Sequence, residues 1–164
     1  MTAAFHVLGD PGRALVSGHC ALSIAEALGD SILQVRAHLA LGRIHYSLGD
    51  YSRAMDFLGR TVAALTGELL YQSHWGPGLA SVTARAVLVQ CQAELGVFAE
   101  GVAHGDEGVR IAEAVDHPYS LIEVYAGLGL LYLRKGDLHP AIAAPFLLAR
   151  LAPGPGVCPG WAHR

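Results

Sequence analysis

The chain has 164 residues, a length suited to one domain, and 52% of them are apolar, ample for a buried core. Only 15% are charged, and a net charge of -3 with 11 Lys and Arg leaves no basic patch of the kind a phosphate backbone requires, which argues against nucleic acid as a direct partner. The three cysteines, Cys20, Cys91 and Cys158, are widely spaced and odd in number, so they read as reduced thiols of a cytoplasmic protein rather than a disulfide framework or a zinc site.

The first residues, Met1-Thr2-Ala3-Ala4-Phe5-His6, lack the basic start and long apolar stretch of a signal peptide. The longest apolar run, residues 125–133, falls far short of the roughly 20 residues that span a bilayer. A soluble protein with no membrane contact is expected.

In chain order, residues 2–8 read as the last turns of an earlier helix, closed by Leu8-Gly9-Asp10. Helices are predicted over 11–28 and 31–47, with Gly29-Asp30 as the stop between them. Within the second, Ile32, Val35, Leu39 and Ile44 recur at helical intervals. Leu48-Gly49-Asp50-Tyr51 then has a mechanical meaning. Gly49 can take the left-handed conformation that ends a helix, and Asp50 can cap the next one, so an antiparallel hairpin with a helix over 51–66 follows.

After Gly67 comes a longer connection, residues 69–81, containing Trp75-Gly76-Pro77-Gly78; Trp75 is expected to cover the junction between neighbouring units. Helices are predicted again over 78–94 and 98–115, parted by Leu95-Gly96-Val97-Phe98. A further pair is predicted over 119–134, after Asp116-His117-Pro118, and over 138–151, after Lys135-Gly136-Asp137-Leu138. No alternating strand pattern competes. Beyond Arg150, Pro153, Gly154, Pro155, Gly156, Pro159 and Gly160 rule out a helix, and residues 152–164 are expected to form a disordered tail.

Gly9, Gly49, Gly96 and Gly136 are spaced 40, 47 and 40 residues apart. A fixed period of that size signals stacked supersecondary units, none able to bury its apolar face alone. One array over 1–151 is therefore expected, with a partial repeat at 1–30 and further repeats at 31–68, 78–117 and 118–151, about three and a half in all.

Residues 35–68 resemble the tetratricopeptide repeat, a helix–turn–helix unit, through Leu41-Gly42, Gly49-Asp50-Tyr51 and Ala54. The stretch from Ile122 onward resembles it again through Leu128-Gly129, Tyr132, Gly136-Asp137-Leu138, Ala141 and Pro153. The resemblance implies an all-α fold, antiparallel helix hairpins stacked as a right-handed solenoid, whose function is to bind a protein or peptide. The phrases at 62–70 and 108–120 are similar to the C-terminal repeat regions of bacterial proteins joining a class III adenylate/guanylate cyclase domain to an AAA-type ATPase. Related arrays occur in large ATP-dependent transcription regulators. That likeness implies a segment of a signalling protein, either binding an external partner or regulating other domains of its own chain.

The departures carry expectations too. The third copy has Val89 where a small residue belongs, Val97 at the capping position, and Gly101, Gly105 and Gly108 inside its second helix. At about 1 kcal/mol per interior glycine, that helix is expected to be the loosest. The first copy lacks its partner helix, which would leave Leu15, Leu22 and Ile24 partly uncovered, and Pro145 interrupts the last helix. With neither end capped by a polar repeat, the chain is expected to be a piece of a longer protein, open to self-association through its ends.

Nine histidines invite a metal hypothesis. His38 and His45 lie seven apart at core positions of the repeat, which suits packed imidazoles, not ligands. His104 with Asp106 and Glu107, and Asp116 with His117, read as solvated polar groups. No HExxH, GxSxG, GxxxxGK[ST] or informative Cys–His spacing is present, so no catalytic residue, cofactor or metal is assigned. Cys91 reads as a small buried hydrophobe.

In the repeat family the first helix of each pair lines the concave face. Carried onto this chain, that face presents Arg36, Leu39, Arg43, Tyr46 and Ser47, then Thr83, Ala86, Gln90, Ala93 and Glu94, then Glu123, Ala126, Leu130, Leu133 and Arg134. The partner-binding candidates among them are Arg36, Arg43, Tyr46, Gln90, Glu94, Glu123 and Arg134. Arg36 and Arg43, seven apart on one side of a helix, suit an acidic side chain or peptide carboxylate.

Overall fold

A computed structural model describes residues 10–72 and 77–142. Six α-helices run through them: α1 (Pro11–Ala27), α2 (Ser31–Ser47), α3 (Tyr51–Ala64), α4 (Ala80–Leu95), α5 (Phe98–Ala114) and α6 (Pro118–Lys135). A 3₁₀ segment, Gly67–Tyr71, lies between α3 and α4, and another helical stretch is described over 138–142. No strand occurs among the described residues. The expectations for residues 1–9, Trp75, Pro145 and the tail at 152–164 fall outside them.

The Leu-Gly-Asp signal works as its chemistry dictates. Gly49 has φ +76°, and the Asp50 N–H donates back to the His45 carbonyl at 2.9 Å, closing α2. Asp50 then accepts from the Arg53 N–H at 3.2 Å and opens α3. Asp30 opens α2 in the same way, accepting from the Ile32 and Leu33 N–H groups at 3.0 Å. In the third copy Val97 offers no side-chain cap, as its chemistry requires. The turn after α5 puts Asp116 at φ +49° where the other turns use glycine, and His117 Nδ1 caps α6 by accepting from the Ser120 N–H at 3.3 Å.

Each helix packs against its neighbour in sequence, and α4 additionally meets α2 and α6. The result is an all-α stack of antiparallel hairpins of the tetratricopeptide type: α2, α4 and α6 form one layer, α1, α3 and α5 the other. The main core joins Leu79, Val82, Val89, Ile111, Val124, Leu128 and Leu131 of α4–α6 and the residue preceding α4. A second links Ala54 and Leu58 to Ala84, Leu88 and Cys91. Burying one large aliphatic side chain contributes about 1.5–3 kcal/mol, so these clusters hold the stack together.

Small residues set the approach distances. A Cβ on Gly42 would stand 2.6 Å from Leu58 Cγ, so α2 and α3 meet at a glycine. Gly101, Gly105 and Gly108 of α5 are buried against α6: a Cβ on the first two would overlap Leu131 and Leu128, and on the third would lie 2.9 Å from Val124. The expected weak helix is thus continuous over Phe98–Ala114, and its glycines have a packing role. In α1, Leu15 and Leu22 are half-buried while Val16, Ile24 and Leu28 are exposed.

Candidate partner-binding groove

The α2–α4–α6 layer carries a groove of about 420 Å³. Arg43, Tyr46 and Ser47 of α2 form one wall, Thr83, Ala86, Val87 and Gln90 of α4 the floor, and Ile122, Glu123 and Ala126 of α6 the other wall. Within α2 and α4 these positions recur at intervals of three and four, which points them to one side of each helix. A larger hollow of about 760 Å³ lies on the opposite layer. The smaller one is the better candidate, because polar groups from all three helices of one layer converge in it.

Four of the candidates therefore meet: Arg43, Tyr46, Gln90 and Glu123. Glu94 and Arg134 pair with each other across the layer, Arg134 Nη2 donating to Glu94 Oε1 at 2.9 Å. That bond raises the guanidinium further above its ordinary range. Both charges act on Tyr46, whose phenol is held above its usual value mainly by burial. Arg36 is exposed on α2 but does not line the groove, since it stands two turns before Arg43.

Three residues carried over to this face are placed otherwise, Leu130 among them, which packs on the main core. Ala93 belongs to the main core, and Leu39 packs into the two clusters between α2 and its neighbours. The rotation of α4 and α2 about their axes turns those positions inward. Val87 and Ile122 line the groove without having been singled out, although Val87 follows Thr83 by one helical turn and Ile122 adjoins Glu123.

Glu123 is the most constrained group in the groove. Thr83 Oγ1 donates to its Oε2 at 2.8 Å, and a Cβ on Gly78 would come within 2.6 Å of the same oxygen. Burial raises the carboxyl above its ordinary range, against the Thr83 hydrogen bond and the Arg43 charge, which both lower it. One wall thus offers a cation, the other a partly desolvated carboxylate, and the floor between them offers small apolar groups and the Gln90 amide.

The other polar clusters serve packing. His45 is buried and stacks on Phe57. His104 differs from its solvated expectation: it is half-buried, and its Nδ1 donates to Gln92 Oε1 at 3.1 Å, because α5 turns it toward α4. Glu107 pairs with Arg110 at 2.7 Å. Cys91 is buried and burial pushes its thiol up to about 12, while Cys20 is exposed. Among the described residues no group of three His, Cys, Asp or Glu is arranged to hold a metal ion, and no helix is long and apolar enough to cross a membrane.

Residues 35–60 match the family model of the tetratricopeptide repeat. The matched stretch covers most of α2 and the first part of α3, including Arg36, Arg43 and Tyr46. No curated protein matches the chain.

Proposed function

We propose that the chain is a non-enzymatic interaction module whose α2–α4–α6 groove holds a peptide or a segment of a partner domain. The tetratricopeptide repeat at 35–60 supports a role in protein–protein interaction. The observation that carries the groove itself is the convergence of Arg43, Tyr46, Gln90 and Glu123 from three helices on one hollow. Arg43 would take an acidic group, Glu123 a basic one, and the Gln90 amide, donor and acceptor at once, would take the peptide backbone. Arg36, Glu94 and Arg134 would extend the contact beyond the groove's ends.

The test compares wild type with Arg36→Ala/Arg43→Ala and with Glu123→Ala in pull-downs and titrations against recovered partners. Each variant is expected to weaken binding about tenfold or more, the scale of a lost charge-assisted contact. Unchanged binding to every recovered partner removes the groove from consideration.

At finer grain, the phrases at 62–70 and 108–120 support placing the array in a cytoplasmic bacterial signalling protein of the cyclase–ATPase kind. On that reading the occupant is another domain of the parent chain. A cyclase or ATPase domain encoded upstream in the same frame is expected; a stable external partner and no such domain would favour binding in trans.

A further inference from the structure

Three imidazoles from two helices surround one phenylalanine on a third. His45 of α2 stacks on Phe57 of α3 with centroids 5.5 Å apart and planes 13° from parallel. His38, also of α2, lies 6.0 Å from the same ring, and His19 of α1 meets it edge-on at 6.1 Å. The 760 Å³ hollow borders this cluster between α1 and α3. His45 is 4% exposed and its buried Nδ1 stands 3.5 Å from Asp50 Oδ2, while His38 Nε2 is buried without a hydrogen-bond partner. Burial disfavours the charged form of both rings, and for His45 it does so against the neighbouring Asp50 carboxylate.

We propose that this three-histidine clamp is an acid-sensitive latch: proton uptake by His38 and His45 releases α1 from the α2–α3 hairpin. The surrounding charges are mixed. His38 faces Arg60 of α3, which opposes its charging, and Glu26 of α1, which favours it. His45 faces Arg53 of α3 and His19 of α1, which oppose charging, and Asp50, which favours it. Asp56 of α3 lines the same hollow. Asp50 is shared: it accepts from the Arg53 N–H, and its Oδ2 lies 3.5 Å from both the Arg53 guanidinium and His45 Nδ1. Burial is the largest influence on both rings and holds each below the ordinary histidine value of 6.5.

The direction follows. The unfolded or detached chain binds protons that the packed rings refuse, so the junction is fully stable above about pH 6.5 and weakens as pH falls below it. Release falls on α1 because, among the described residues, its backbone packs on α2 alone. The other repeats do not share the device. One repeat further, 47 residues on, the positions of His38 and His45 are held by Arg85 and Gln92, and a further 40 residues on by Tyr125 and Tyr132. None of these is an imidazole.

Hydrogen exchange on the full chain, corrected for intrinsic rates, tests the latch between about pH 7.5 and about pH 5.5. Protection of α1 is expected to fall about tenfold or more, with α4, α5 and α6 changing less than about twofold. The double variant His38→Gln/His45→Gln should keep α1 protected at the lower pH. Equal α1 protection at both pH values in wild type, or an undiminished loss in the double variant, overturns the proposal. Should the variant not fold, NMR titration of wild-type imidazoles decides. His38 and His45 must titrate below the same residues in the urea-unfolded chain, in step with α1 opening, and titration at or above those values overturns it.

Discussion

Gly59 and Gly105 both sit inside helices, yet their surroundings make opposite demands. Nothing lies within 4 Å of a Cβ built on Gly59, which is exposed on α3, whereas one on Gly105 would run into Leu128. Gly59→Ala is therefore expected to stabilise the chain by about 1 kcal/mol through helix propensity alone. Gly105→Ala is expected to destabilise it by about 1–3 kcal/mol, since overpacking outweighs the same gain. Urea denaturation midpoints check both, and a rise with Gly105→Ala would contradict the close α5–α6 contact. From the sequence, Gly105 reads as a weakness, because propensity sees only its own helix. Its reason is Leu128, more than twenty residues away. His104 was misjudged on the same ground, its partner Gln92 lying on another helix.

At the scale of elements, boundaries were the most legible feature, since the turn chemistry is local. Predicted 31–47 and observed Ser31–Ser47 coincide, because Asp30 and Gly49 act within the turn itself. Asp50→Ala should accordingly cost about 1 kcal/mol, the usual worth of such a cap, read as a lowered urea midpoint. No loss on substitution would mean that α3 starts without Asp50. The 3₁₀ segment Gly67–Tyr71 was not legible. It is tied down by partners far along the chain, with Ser81 Oγ donating to the Leu70 carbonyl and Leu70 and Tyr71 packing on the main core. Those contacts form only once α4 and α5 are in place.

For the whole molecule, the glycine period was enough to find a stack, and register was enough to bring Arg43, Tyr46, Gln90 and Glu123 to one face. It was insufficient to rotate each helix correctly, so Ala93 and Leu39 were placed outward when their side chains complete cores. Position in the stack also sets the cost of change. Val89 is fully buried in α4, and Val89→Ala is expected to cost about 1–3 kcal/mol by leaving a void. Ile24 of α1 is 55% exposed, and Ile24→Ala should stay within about 0.5 kcal/mol. Equal losses for the two in equilibrium unfolding would contradict this order from buried to exposed positions.

Twelve of the sixteen residues of α4 are buried, four of them polar, and the polar ones face both layers. Thr83 is bonded across the groove to Glu123, while Gln92 is bonded to His104 beneath it. A guest that slid this axle lengthwise would strain the front bond and the rear bond together. If a guest in the groove shifts α4 in this way, its occupancy is expected to register as altered imidazole chemistry at His104.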